Sequence, residues 1–306
     1  MEYMELLRLI EGIRTPFLDV VIGLVTRLGE ETIGIVLLCL VFWCISKKAA
    51  YVVGIVFFLS GLTVQGMKIC FRIERPWVID PAFEPVAGSK EHATGYSFPS
   101  GHTQNATALY GSLGAQVKQK PLKVILFTIP VLVAFSRLYL GVHTLIDVTV
   151  SLALTFLLIW LTVVFFSGEV TSRIRKIIFP SIIVLFAVTV IIIAAVMYTN
   201  GTIEEKYIAD CMKAAGAGIG FAVGMYIERV YINFPTKAKS LLWQAIKLVI
   251  GIAGVLALQE GLKPIIGTSL TANLIRYFIM ITWVTAVYPL IIKRFFAVPV
   301  KAEIDL

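Results

Sequence analysis

A polytopic bundle of membrane-spanning α-helices is the fold class this sequence predicts, and three observations predict it. Of 306 residues, 58% are hydrophobic and 15% charged, with a mean hydropathy of +0.88, far too apolar for a water-soluble domain. The apolar residues fall in runs close to the roughly 20 residues needed to cross a bilayer. The Lys and Arg behind the formal charge of +8 sit in short clusters between those runs, which argues for loop anchoring and against a nucleic-acid surface.

The elements follow in order. Met1-Glu2-Tyr3-Met4-Glu5 has no basic n-region, so no cleaved signal peptide is expected. Within an N-terminal segment of residues 1–29, Leu6, Leu7, Ile10, Ile13 and Phe17 recur at helical spacing among Glu5, Arg8, Glu11 and Arg14. That is the pattern of an amphipathic helix lying on the membrane surface. The following run, Val20 to Val25, is short for a span. Nine apolar runs then read as transmembrane helices, near 30–46, 50–68, 101–117, 122–140, 145–167, 177–198, 208–228, 241–260 and 271–292. Cys39, Cys44, Cys70 and Cys211 have no metal-ligand spacing with the histidines and read as packing residues.

Cytoplasmic loops collect Lys and Arg. Lys47-Lys48, Lys118 with Lys120 and Lys123, Arg173 with Arg175 and Lys176, Lys237 with Lys239, and Lys293-Arg294 occupy alternate loops. Threading the chain from these places Lys68, Arg75, Ser100, His102, Arg137 and His143 together at the non-cytoplasmic ends of their helices.

Ionisable residues beside membrane spans are costly and read as functional. Lys68 and Arg75 are seven residues apart, two helical turns on one face, with Pro76 stopping the helix. A planar guanidinium and a compact ammonium together suit a phosphate dianion; an isolated Lys or Arg would read as snorkelling at a helix end. Pro99-Ser100-Gly101-His102 precedes an apolar run, with Ser100 as N-cap and the free amides of Gly101 and His102 forming an anion site. An ordinary capped helix is the plainer alternative. His143 and Asp147 lie at i and i+4, so the carboxylate can accept one ring N–H and leave the other nitrogen nucleophilic. Arg137, just before them, can hold a phosphoryl oxygen.

Lys68-x6-Arg75-Pro76, Pro99-Ser100-Gly101-His102 and Ser136-Arg137-x5-His143-x3-Asp147 resemble, with no residue missing, the three-part signature of the type 2 phosphatidic acid phosphatase (PAP2) superfamily. The resemblance implies a metal-independent lipid phosphate phosphatase without cofactor. In it His143 would attack phosphorus, Asp147 would orient His143, and His102 would protonate the leaving oxygen and then activate water. Lys68, Arg75, Ser100, Gly101 and Arg137 would bind the phosphate. The implied substrate is a phospholipid or polyprenyl phosphate, such as undecaprenyl diphosphate or phosphatidylglycerol phosphate. The expected location is the plasma membrane, with the site on the non-cytoplasmic side.

The resemblance covers residues 30–167 as a catalytic core and leaves 168–306 as a transmembrane extension without a motif. There Gly216, Gly220 and Gly224 recur every four residues, a close-packing face for another helix or subunit, while Glu228 and Lys247 read as end-snorkelling. The loop 77–98, with Trp77, Phe83, Lys90, His92 and Tyr96, reads as a lid or headgroup contact. Oligomeric state is not legible. Two further functions fit the same residues: a phosphotransferase passing the phosphoryl group to a lipid or sugar hydroxyl, and a lipid or anion transporter without turnover.

Overall fold

Hydroxyl side chains decide where many of the helices begin. A computed structural model describes residues 2–91, 93–166 and 173–296. In it Thr15, Ser46, Ser100, Ser240 and Ser269 each accept a hydrogen bond from the backbone N–H three residues on, satisfying an amide that the first helical turn leaves unpaired. The order is α1 (Glu2–Glu11), α2 (Pro16–Arg27), α3 (Glu31–Leu40), α4 (Lys47–Phe71), α5 (Pro76–Ile79), α6 (Gly101–Ala106), α7 (Ser112–Gln116), α8 (Lys120–Tyr139), α9 (Leu145–Phe166), α10 (Arg173–Thr199), α11 (Glu205–Ile227), α12 (Leu241–Ile266), α13 (Leu270–Thr282) and α14 (Tyr288–Ile291). A π-helical turn at Val41–Ile45 extends α3, and another at Thr107–Gly111 joins α6 to α7.

The fold is an all-α polytopic membrane bundle. Seven described helices are long and apolar enough to cross a bilayer, or eight if the bent pair Pro16–Arg27 and Glu31–Ile45 is one span, rather than the nine expected. The run expected at 101–117 forms a helix from Gly101 to Gln116. At 1.5 Å per residue it is about 24 Å long, short of the ~30 Å hydrocarbon core. The run at 30–46 begins at a bend of 48° against α2. Both short helices are supported by protein, with Ala106, Ala108 and Leu109 buried in the same cluster as Leu38 and Cys39.

Helix α4 runs through the centre, with Val52, Val53, Ile55 and Val56 almost fully buried, and α9, α10 and α11 pack around it. The glycine face of α11 receives α13. A Cβ on Gly220 would lie 2.6 Å from the Phe278 carbonyl oxygen, and one on Gly216 would strike the Leu274 carbonyl. Gly220→Ala is therefore expected to cost about 1–3 kcal/mol and to lower the unfolding midpoint in detergent. An unchanged midpoint would mean that the two helices separate without cost.

At the end rich in basic loops, Glu228 and Lys247 correct the snorkelling expectation, because both side chains are fully buried. Lys47 Nζ pairs with Glu228 at 3.0 Å, and Lys247 donates to the Thr236 carbonyl at 2.7 Å. These contacts tie down the connection between α11 and α12.

The N-terminal segment also has a protein-facing side. Leu7 and Ile10 of α1 pack with Phe83, Leu138 and Val142, while Leu9 and Phe17 stay exposed. Arg8 pairs with Asp80 at 2.7 Å, and Arg14 donates to the carbonyls of Glu84 and Tyr139.

Candidate active site

Thr144 places the best-defined part of the site. As N-cap of α9, its hydroxyl faces the Asp147 N–H, while its own N–H donates to Asp147 Oδ2 at 2.7 Å, a reciprocal cap that locks the carboxylate. His143 sits in the turn just before the helix, and its Nδ1 lies 3.3 Å from the same oxygen. Its other nitrogen, Nε2, lies 3.0 Å from Arg75 Nη1. A guanidinium can only donate, so Nε2 accepts and the ring proton rests on Nδ1, facing Asp147. The geometry thus selects the tautomer with the Nε2 lone pair turned toward the cations. His143 and Asp147 are 2% and 1% exposed, so the pair is dry. Burial first, then the charges of Arg75, Arg137, Lys68 and His102, holds the imidazole well below its ordinary pKa and keeps it neutral.

Ser97 is a site residue that the sequence reading missed. Its hydroxyl donates to Asp147 Oδ2 at 2.6 Å and lies 3.5 Å from His143 Nδ1. It stands two residues before Pro99, and a serine in a loop carries no spacing signal of its own.

The two cations of the first motif meet by a different route from the one expected. Helix α4 ends at Phe71, Arg72 takes a left-handed conformation (φ 52°), and Arg75 caps the short helix α5, with Pro76 as its first residue. Lys68 and Arg75 therefore do not share a helix face; a residue before proline disfavours helical ψ, and Arg75 is extended (ψ 153°). What gathers them is backbone. Lys68 Nζ donates to the Tyr96 carbonyl, while Arg75 donates to Gly95 O at 3.0 Å, Thr94 O at 2.8 Å and Val142 O at 2.8 Å.

The middle motif forms as expected at Ser100, whose hydroxyl accepts from Thr103 N. Ser100 N–H also donates to the Asp147 carbonyl at 3.2 Å, and Ser151 Oγ donates to Ser100 O at 2.9 Å, so the second and third motifs are stitched together. A Cβ on Gly101 would meet no atom within 4 Å, which leaves open space beside the helix start. His102 and Arg137 line a cavity of roughly 440 Å³.

Much of that cavity wall comes from a segment without any motif. Asp19, Gly23, Thr26 and Arg27 of α2, then Glu30, face it from one side and residues 86–89 from another. Thr26 Oγ1 accepts from Arg137 Nη1 at 2.7 Å, while Arg137 Nε is buried with no hydrogen-bond partner. Gly29 lies against His102, where a Cβ would come within 2.6 Å of its carbonyl oxygen. His92 lies outside the described residues. Among those described, no group of three His, Cys, Asp or Glu side chains could hold a metal ion.

Comparison with known families matches residues 47–171 to the PAP2 superfamily, and residues 212–299 to the transmembrane extension of PAP2 superfamily phosphatases. The chain belongs to the PAP2 superfamily. Among its superfamily relatives, phosphatidylglycerophosphatase B of Bacillus subtilis (strain 168) is 29% identical over 169 residues, 49% of this chain and 75% of the relative. A solved structure of a transmembrane PAP2-type phosphatidylglycerolphosphate phosphatase from Bacillus subtilis is 28% identical, covers 56% of this chain and 86% of its own, and has a TM-score of 0.46. LpxE of Aquifex aeolicus is 26% identical, covering 53% and 95%, with a TM-score of 0.49. Within the superfamily this chain is a multi-pass membrane protein related to lipid phosphatases.

Proposed function

We propose that this protein is an integral membrane phosphatase that hydrolyses a lipid phosphate or lipid diphosphate at the non-cytoplasmic face, through a phosphohistidine on His143. The observation that carries the reading is the line Arg75–His143–Asp147: a neutral imidazole whose Nδ1 proton faces a locked carboxylate and whose Nε2 lone pair faces a cation.

In the structure Arg75 engages the nucleophile's lone pair. A substrate phosphate is the better acceptor for a guanidinium, so its oxygens draw that N–H away and free Nε2 as they bind. Nε2 then attacks phosphorus; the N–P bond forms as the P–O bond to the lipid breaks, and the leaving oxygen takes a proton from His102 as imidazolium. Neutral His102 next takes a proton from water, whose oxygen attacks phosphorus, and the N–P bond breaks to release phosphate and restore His143. Lys68, Arg75, Arg137 and the amides at Gly101 and His102 stabilise the charge that builds on the phosphoryl oxygens.

Sidedness is supported by the basic loops lying at the opposite ends of the helices from the site, and a bacterial plasma membrane by the compact loops. Phosphatidylglycerol phosphate is the first substrate to test, on the name of the 29% identical relative. Hard divalent cations want several oxygen ligands, and among the described residues the carboxylate beside His143 is that of Asp147, one oxygen of which already faces three donors.

The test is free phosphate release by the detergent-solubilised protein from phosphatidylglycerol phosphate, phosphatidate, undecaprenyl diphosphate and lipid A. Release from at least one lipid, unchanged by EDTA, is the expected result. Loss with EDTA that magnesium restores would overturn the metal-free mechanism. No release from any of them would favour a phosphotransferase or a transporter.

A further inference from the structure

The transmembrane extension carries no catalytic motif, yet it touches the catalytic cations through one intermediary. That intermediary is the backbone of residues 94–96. Its three successive carbonyls accept from Arg75 Nη2, Arg75 Nε and Lys68 Nζ in turn, so the placement of this loop sets the placement of both side chains. The loop has no helix or strand to stiffen it, and Gly95 sits at φ +71°.

Its stiffness comes from outside. Tyr207, in the first turn of α11, stacks its ring on that of Tyr96, with centroids 4.1 Å apart and planes within 6°. The same ring also covers Gly95, where a Cβ would lie 3.9 Å from it. Tyr207 is held in turn: Lys206 Nζ lies 4.8 Å over its ring, and its N–H donates to the Glu204 carbonyl at 3.1 Å. Helix α11 is fixed along α4, which bears Lys68, and against α13 through its glycine face.

We propose that Tyr207 is a positioning residue through which the transmembrane extension sets the phosphate-binding geometry of Lys68 and Arg75. Its kinetic consequences rest on the phosphatase reading above; its effect on the loop does not.

The experiment compares full-length wild type with Tyr207→Ala and Tyr207→Phe, with His143→Ala as a control. It reads kcat and KM for the best lipid, the inhibition constant of orthovanadate as a phosphate-like oxyanion, and amide hydrogen exchange in residues 93–98. Tyr207→Ala is expected to raise the vanadate constant about tenfold, as loss of a stacked aromatic pair implies, to lower kcat/KM by a similar factor and to speed exchange in the loop. Tyr207→Phe keeps the ring and should restore all three.

A role confined to packing would lower the unfolding midpoint and leave these readouts unchanged in the folded protein, which would overturn the proposal. If Tyr207→Ala does not fold, Tyr207→Leu fills the space without a stackable ring and is judged by the same criteria. Wild-type turnover abolished by His143→Ala but untouched by Tyr207→Ala would leave the phosphatase standing and sink the positioning role. If wild type releases no phosphate, faster loop exchange in Tyr207→Ala, reversed in Tyr207→Phe, would preserve the positioning role without the phosphatase; unchanged exchange would end both.

Discussion

His143→Ala is expected to abolish phosphate release, a fall in kcat/KM of at least roughly 10⁴-fold. On the proposed mechanism the substitution removes the nucleophile and leaves the cations assigned to phosphate binding, so lipid binding should survive. In wild type, brief incubation with labelled substrate and an acid-free quench should trap a phosphoenzyme that decays in acid, as an N–P bond does, and the variant should show none. Turnover retained in His143→Ala would mean that water attacks phosphorus directly.

The same imidazole fixes a pH dependence. Burial and four neighbouring cationic groups depress its pKa, so as pH falls through the ordinary value of about 6.5 His143 stays neutral in the free enzyme, and it is lost to protonation only below that. The acid limb of kcat/KM should therefore lie below pH ~6.5. A limb above it would show that His143 titrates as though solvated.

Asp147→Asn is expected to lower kcat by about 10⁴-fold with KM nearly unchanged. One carboxylate oxygen accepts from Ser97, from the Thr144 N–H and from the His143 ring. An amide of the same shape can keep the first two bonds but offers no negative charge to the imidazolium formed as Nε2 bonds to phosphorus. Turned the other way, its NH₂ would donate to Nδ1, force the ring proton onto Nε2 and occupy the attacking lone pair. Neither orientation touches a phosphate oxygen, which is why KM should hold. A matching rise in KM would place Asp147 in substrate binding instead.

What was legible in the sequence was what residue identity and spacing encode. Ser100 announced its cap, the i, i+4 pair announced the His143–Asp147 contact, and Gly216, Gly220 and Gly224 announced a close neighbour, which proved to be α13 for the first two and Thr285, just beyond α13, for the third. What stayed hidden runs through backbone or through distant chain. The carbonyls of residues 94–96 would be the same for almost any side chain there, so nothing marked them as the acceptors of Lys68 and Arg75. The left-handed turn at Arg72 hid in an ordinary residue and undid the expected shared helix face. Thr26 and Ser97 matter through single hydroxyls, which no periodicity flags. Apolar runs gave the spans but overcounted them, because protein packing supports helices that are too short to cross a bilayer alone.

The cavity wall supplied by α2 carries a consequence for how the molecule is made. Thr26 emerges from the ribosome about 110 residues before its partner Arg137, a delay of roughly 5–20 seconds at ordinary rates of synthesis. During that interval Asp19 lacks the Tyr139 hydroxyl and Arg14 lacks the Tyr139 carbonyl that the finished bundle gives them, and such charges cannot wait inside the hydrocarbon. An amphipathic segment resting at the headgroup level is a stable waiting place for such a chain. On the proposed reading, the wall that α2 gives the cavity is complete only once α8, which carries Arg137, has been made.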